Sequence, residues 1–496
     1  MSAMFRIETA SRRTILRHTG EALGLGAGAA LAAACGAPAG GDSSAPAGTT
    51  TAPYKVVMGN KFGGDGNSQP ERMDWMNRSH EEFNRLNGPK LTVDHVVLNT
   101  TDALLAVLAA GTGPDVAHAS GAFFSDLADK KQWVDIGPYL KRDKVDTSRW
   151  YLQEEVLSRN GTHYSTPFWQ AAGTYFYNKT LFAKYGVKPP TDDTWTWSDM
   201  LDAAQRLTRP GETWGIQTGY GFEFSWINFL RSAGENWINK EKTKTTLNTA
   251  GAVDTFQWLV DLVQRHKVMA PPGDTTLGTG NLWQQGKVGI MLASNGTIGA
   301  TIGAKVEFDW DLFVTPKHPR TGKRGISANE NPWVVTKDTK NPEAGYKLAA
   351  FYSDGFSDGL VGKNRINMPS LKSAAADSAG WLVSPPANIK ATLEGIKHAS
   401  GLDFHLNWND WNTELIKVFV PAFRGEIGVK EACDKASQVG DSLLRGACAL
   451  PRPGPPRRRR PGRPGGSIPT VSPPLRRTLA VVRRRVAARD ARRRRL

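Results

Sequence analysis

Only three cysteines occur in 496 residues, Cys35, Cys433 and Cys448. The last two lie about 400 residues from the first, and a chain of this length can build a core without staples, so a disulfide scaffold is excluded. Beyond residue 34 no run is long and apolar enough to cross a bilayer as a helix, and no segment repeats at a solenoid period. Catalytic signatures are missing too. No HExxH is present, and the HEEF at His80 lies in an amphipathic helical pattern. GGDGNS (63–68) lacks the GK[ST] ending of a phosphate loop, and GLGAG (24–28) falls inside the N-terminal apolar segment. Glu154/Glu155 and Asp192/Asp193 are adjacent pairs whose side chains diverge, whereas a glycosidase needs two carboxyls facing one bond. The chain therefore carries no cofactor motif, no metal site and no catalytic constellation. Cys433, on an apolar helical face with Val429, Ala432, Ala436 and Val439, is a core thiol.

The folded body also lacks net charge, although the formal value is +16. Residues 451–496 hold sixteen Arg and one Asp, and residues 1–34 hold four Arg and two Glu. What remains carries 43 basic and 44 acidic residues, so a nucleic-acid or anionic-membrane reading attaches only to the tail. That tail, 447–496 with its PRPGPPRRRRPGRPGG start, has no Lys, Glu, Phe or Trp beyond 450 and cannot build a core. It is either a basic arm or the product of a GC-rich gene read out of frame. The second is favoured because every basic residue is Arg, whereas the body mixes Lys and Arg.

The N-terminus explains the isolated Cys35. Ser11, Arg12, Arg13, Thr14, Ile15, Leu16 and Arg17 form a twin-arginine pattern ahead of the Gly/Ala/Leu segment 20–34, the order of an export signal. Leu31 to Cys35 resembles a bacterial lipobox, with the leucine four residues before the cysteine rather than three. Residues 1–34 are thus expected to be a signal, Cys35 the lipidated first residue of the exported protein, and 35–53 a Gly/Ser/Thr/Pro tether to the membrane surface.

From Tyr54 to Arg445 the body is too long for one core and predicts two lobes. YKVVM (54–58) reads as a strand ending in a glycine-rich loop. Ser68 and Glu71 have capping-box spacing, Met73, Met76, His80, Phe83 and Leu86 recur on one helical face, and Gly88 closes the helix. LTVDHVVL (91–98) predicts a second strand, 102–110 a helix stopped by Gly111, and 115–117 the start of a third strand. Further on, 174–178, 288–292, 308–314 and 333–336 read as strands. Helices are predicted at 179–185, 197–208 with Ser198 as cap, 252–266, 343–352 and 429–444. Alternation of this kind gives an α/β fold with mostly parallel sheets, where ligands meet loops at the strands' carboxyl ends.

The order of six segments resembles the extracellular solute-binding proteins of ABC importers, the carbohydrate-binding, maltose-binding-protein-like group. They are LLAVLAAGTGPDVAHAS (104–120), the TPFWQAAGTYFYNK stretch through 208, LWQQGKVGIMLASNG (282–296), FVTPKHPRTGKRG (313–325), KNPEAGYKLAAFYS (340–353) and INMPSLKSA (366–374). The resemblance implies a two-lobed periplasmic-binding-protein-like clamp, each lobe a mostly parallel sheet flanked by helices. Lobe 1 would be 54–162 plus 308–337, and lobe 2 would be 163–307 plus 338–446. It implies a non-enzymatic, lipid-anchored, extracytoplasmic receptor whose partners are a carbohydrate ligand, the transmembrane permease subunits of the importer and the membrane surface, with no nucleic acid and no cofactor. A secreted polysaccharide hydrolase, or a receptor for a glycerol phosphoester, polyamine or metal, remains an alternative.

A sugar site needs flat aromatic faces for the C–H surfaces and polar groups for hydroxyls that leave water. All sixteen Trp lie between Trp75 and Trp411, and most must be packing residues. On the expected cleft loops stand Asp65 and Asn67, Ser120, Trp169, Trp226, Asn295, Asn329, Glu330, Arg365 with Asn367, and Trp408 with Trp411. Where the group often has a Trp after Gly296, this chain has Thr297 and Ile298.

Overall fold

A computed structural model describes residues 53–448 apart from 65–67, 152–156, 191–193 and 403–407. The expected signal, Cys35, the expected tether up to residue 52, Asp65, Asn67, both adjacent acidic pairs (Glu154/Glu155 and Asp192/Asp193) and the basic tail beyond residue 448 therefore lie outside the described residues.

The first strand, β1 (Tyr54–Asn60), pairs in parallel with β2 (Leu91–Val97), Tyr54 opposite Leu91 and Asn60 opposite Val97, and with β3 (Val116–His118). The helix Pro70–Asn87 makes the crossover between β1 and β2. Pro70 fits its first turn, Glu71 and Arg85 complement its dipole, and Trp75, Met76, Ser79 and Phe83 form its buried stripe. Gly88 ends it as expected, but the N-cap is Gln69; the Ser68 hydroxyl instead donates to the Gly64 carbonyl at 3.2 Å, so no capping box forms. Pro70 already removes one of the N–H groups that a cap would serve. A small hairpin, β4 (Ser158–Arg159) and β5 (Thr162–His163), precedes β6 (Ser165–Thr166).

After two residues, Pro167 and Phe168, the chain enters β7 (Trp169–Asn178), buried at every position. This strand is the centre of a second sheet that contains β8 (Trp214–Gln217), β9 (Val288–Ser294), β10 (Trp310–Phe313), β11 (Ile326–Glu330), β13 (Met368–Pro369) and β14 (Ala399–Gly401). A strand covered on both faces has no polar side to show, which is why WQAAGTYFYN does not alternate. The remaining strand, β12 (Trp333–Val335), returns to the first sheet, whose order is β2-β1-β3-β12-β6. Three short crossings thus join the lobes: Pro167–Phe168, Asn331–Pro332 and Asn364–Asn367.

Sheet membership moves the expected lobe boundaries. Residues 310–330 were assigned to lobe 1 by position, yet β10 and β11 hydrogen-bond to β7 in the second sheet, and only β12 joins the first. Conversely the helices Pro342–Tyr352 and Gly355–Lys363, assigned to lobe 2, bury Ala344, Tyr346, Leu348, Tyr352, Leu360 and Val361 in one core with Val56, Met58, Trp75 and Trp333. The Trp75 indole N–H seals that junction, donating to the Ser357 carbonyl at 3.0 Å. The helix Trp197–Leu207 is capped by Thr196, in a capping box with Asp199, rather than by Ser198.

Candidate functional site

The β1 and β3 carboxyl ends, the three crossings and the loop after β8 converge. From the first lobe, Asn60 closes β1; its Oδ1 accepts from the Phe62 N–H (2.8 Å) and pairs with His95 Nε2 (2.9 Å), while its Nδ2 is buried without a partner among the described residues. His118 closes β3 amid Phe168, Trp169 and Trp333, ring centroids 5.2–5.5 Å away. Burial, with Lys61 and Arg72 nearby, pushes its imidazole down to about 3, so the ring is neutral at every physiological pH. Burial also lowers Lys61 and Arg72, although both retain solvent access, and the Arg72 guanidinium lies 5.5 Å from the Phe62 ring centroid.

The second lobe contributes the turn Phe222–Trp226. Glu223 is solvent-exposed by surface area, yet burial raises its carboxyl. Both hold when protein surrounds an accessible side chain, the condition of a crevice wall. Its Oε1 accepts from Asn329 Nδ2 at 3.0 Å, and Asn329 Oδ1 has no described partner. Next to it Phe224 sits at φ +55°, a left-handed conformation that costs a bulky residue on the order of 1–3 kcal/mol. Its N–H is held by Ser327 Oγ at 3.1 Å. Between the lobes Gln170 is fully buried, level with Glu330 of β11 and Met368 of β13, and neither amide atom of its side chain has a described partner.

Two cavities open on this region. One of about 290 Å³ is lined by Asn60, Lys61, His118, Ser120 and Asn331 among others. Another, of about 860 Å³, lies between the start of the helix Pro70–Asn87 and the helix Thr297–Gly303, with Arg365 on its wall. Gly299 lets that second helix close on the third crossing, since a Cβ there would come within 2.1 Å of the Arg365 carbonyl.

The sequence-expected residues fall into three groups. Ser120 is exposed on the smaller cavity, Asn329 lies beside Glu223, Trp169 packs on Phe62 and His118 at the first crossing, and Glu330 ends β11. Asn295 and Arg365 are near the crossings but engaged with backbone. Asn295 Oδ1 accepts from the Ala172 N–H (3.3 Å) and its Nδ2 donates to the Gln170 carbonyl (3.0 Å). The Arg365 guanidinium donates to the Trp381 and Pro385 carbonyls. Trp226 and Trp408 are not cleft residues. Trp226 stacks on Phe423 (5.5 Å, 11°) in the second-lobe core, and Trp408 stacks on the equally buried Trp411 (5.4 Å, 20°). For Trp226 the reason is local: the reversed backbone at Phe224 leaves Glu223 exposed and Phe224 part-exposed while Phe222 and Trp226 are buried. Asp65 and Asn67 are outside the described residues. Sequence reading missed Glu223, Phe224 and Gln170; an acid between two aromatics in GFEFSW was the available signal for the first two, and none marked Gln170.

Comparison with known proteins places this geometry. A model of the bacterial extracellular solute-binding protein family matches residues 66–354. A binding protein of Brucella abortus is 25% identical over 256 residues, 49% of this chain; the match spans 59% of that relative's length. The mannitol-binding protein of Pseudomonas aeruginosa is 25% identical over 291 residues, 56% of this chain and 65% of that one. An ABC substrate-binding protein of Listeria monocytogenes, solved in complex with cycloalternan, superposes with a TM-score of 0.69 at 21% identity, covering 79% of this chain and 99% of that one. That likeness establishes the two-lobed α/β clamp.

Proposed function

Because the chain belongs to the bacterial extracellular solute-binding protein family, we propose that it is the receptor of an ABC importer that closes its lobes on a neutral sugar or oligosaccharide. The observation that carries this reading is the concentration of unpartnered, uncharged polar atoms at the crossings: Asn60 Nδ2, His118 Nε2, Gln170 Oε1 and Nε2, and Asn329 Oδ1. They are donors and acceptors in mixture, with the rings of Phe62 and Trp169 packed on His118. A sugar hydroxyl both donates and accepts, and its ring offers C–H faces to aromatics. Each buried polar atom left unpaired costs about 1–3 kcal/mol, so a guest that pairs several at once favours the arrangement in which both lobes reach it. The mannitol-binding relative and the cycloalternan complex support the same ligand class. Arg365, held by two backbone carbonyls, weighs against the phosphoester alternative.

In this reading the closed form is what the permease subunits recognise, Cys35 carries the lipid that keeps the receptor at the extracytoplasmic membrane face, and no substrate bond is broken. Among the described residues no helix is long and apolar enough to cross a membrane, and no cluster of side chains could hold a metal. Calorimetric titration of the exported chain with neutral monosaccharides, polyols and oligosaccharides, with product analysis of each mixture, tests the proposal. The expected result is one class bound near micromolar affinity, about −8 kcal/mol, without turnover. Product formation would establish the hydrolase instead, and binding confined to phosphoesters or cations would remove the sugar.

A further inference from the structure

The near-neutral sum of charges over the body conceals a local excess of lysine at the end of the first lobe where the chain enters the fold. Five exposed lysines stand there, Lys90, Lys130, Lys131, Lys337 and Lys340, and none has an ion-pair partner among the described residues. Hydrogen bonds place them side by side. The Tyr54 N–H donates to the Lys90 carbonyl at 3.0 Å, and the Tyr54 and Thr339 hydroxyls both donate to Asp115 Oδ1, which brings Lys340 next to Tyr54. The Lys337 N–H donates to the Gln132 carbonyl at 2.9 Å, adjacent to Lys130 and Lys131. In the sheet order β2-β1-β3-β12, Lys90 precedes β2, Tyr54 begins β1, Asp115 precedes β3 and Lys337 follows β12. The lysines therefore cross four adjacent strand ends, about 15 Å at the usual strand spacing. The carboxylates among them are already engaged: Asp115 also accepts from the Val57 N–H, Asp338 from the Gly113 N–H and Asp135 from the Gly137 N–H, while Asp129 is bound to Arg159 at 2.6 Å.

We infer that this end of the first lobe is a base that rests on anionic lipid headgroups and holds the cleft on its far side. An ammonium is a point charge on a flexible stem, without the planar fork that fits one carboxylate, so a row of lysines without arginine suits a field of headgroups better than a single acidic side chain of a protein. Each lysine close to an anionic surface favours binding about fivefold. Strands β1 and β3 run from this end to the crossings, so with the base down the first-lobe wall of the cleft faces away from the bilayer. The inference takes its confinement to the membrane from the lipid at Cys35 proposed above. Cys35 lies nineteen residues before Tyr54, a length of at most about 65 Å when fully extended, and Tyr54 stands within the lysine row.

The test mixes the exported chain, prepared without lipid at Cys35 and without sugar, with vesicles of phosphatidylcholine alone or with about 30% phosphatidylglycerol, and follows lysine acylation residue by residue in mass spectrometry. On the anionic vesicles the five lysines are expected to react at least about fivefold more slowly, with the protection lost at about 0.5 M salt. The exposed second-lobe lysines Lys188, Lys240 and Lys305 keep their rates. The Arg-rich tail beyond residue 450 has no lysine and is silent in this readout. Combining Lys130→Gln, Lys131→Gln, Lys337→Gln and Lys340→Gln replaces exposed side chains only, so circular dichroism and carbohydrate titrations stay unchanged while Lys90 loses its protection. Protection spread evenly over both lobes, none at the five lysines, or Lys90 still protected in the folded variant would overturn the assignment. So would protection that appears only with the permease subunits, which would make the face a protein contact. Neither a lipid at Cys35 nor a sugar enters the assay, so its failure is distinct from a failure of the receptor reading.

Discussion

Asp358 allows a prediction worked through from its surroundings. It is fully buried on the helix Gly355–Lys363, and its carboxyl accepts from the Leu371 N–H at 2.7 Å and the Ser370 N–H at 3.3 Å, at the end of the third crossing. Burial raises its pKa to about 8, against the two backbone donors and Arg149, which favour the charged form, and with Asp354, which opposes it. A carboxyl whose pKa is higher in the folded state binds more protons folded than unfolded. Its stabilising contribution is complete below about pH 4, declines as pH rises, and is gone above about pH 8. At about 1.4 kcal/mol per pH unit, the full excursion is on the order of 5 kcal/mol. His80 and His118 titrate the other way. Burial lowers them to about 4 and about 3, so each favours the folded state more as pH rises toward the ordinary imidazole range. The wild-type curve is therefore a composite, and the decisive quantity is a difference. Urea unfolding of wild type and Asp358→Asn at intervals from pH 4 to 9 should show the variant gaining on wild type by up to about 1.4 kcal/mol per pH unit between 4 and 8, then no further. A difference that stays flat across this range would mean that the carboxyl is charged in the fold, and the desolvation argument would be wrong.

Gln170→Met removes both unpaired amide atoms at nearly constant volume; thermal unfolding should show the ligand-free protein unchanged or more stable by about 1 kcal/mol, while calorimetry shows sugar affinity falling about tenfold. Gly215→Ala would place a Cβ 1.9 Å from the backbone carbonyl of Ala204, and because neither partner is a flexible side chain the variant should lose several kcal/mol or fail to fold, read as a lowered urea midpoint. Trp226→Ala should cost about 3–5 kcal/mol in urea unfolding, as a core deletion does, and should leave affinity per folded molecule unchanged; a selective loss of binding would return Trp226 to the cleft.

What the sequence made legible follows the range of the forces involved. The helices over 70–87, 197–207 and 250–264 announce themselves because a buried stripe at helical spacing is a local pattern. Their starts were less secure: a cap depends on which of several Ser, Thr or Gln residues the incoming chain turns at, and Gln69 and Thr196 took the places expected for Ser68 and Ser198. The lobe boundaries were misplaced for a different reason. Strands 310–313 and 326–330 look no different from a first-sheet strand until their partner is known, and that partner, β7, lies more than a hundred residues away. At the site, aromatic richness directed attention to tryptophans, but the large flat side chains that bury the most area are also the ones a core retains. Phe224 and Glu223 were hidden by a single reversed φ angle, and Gln170 by being a common residue in an uncommon place.

The order in which the sheets are completed constrains how this chain is made. β12 sits between β3 and β6, so a ribosome that has delivered residues through 330 has supplied the strands of the second sheet from β7 to β11 but left two open edges in the middle of the first. An unfilled slot of that kind is a template for pairing with another molecule. Nascent chains halted before Trp333 should therefore be sticky and protease-sensitive, and those carrying the whole body through the helix Val429–Cys448 should not.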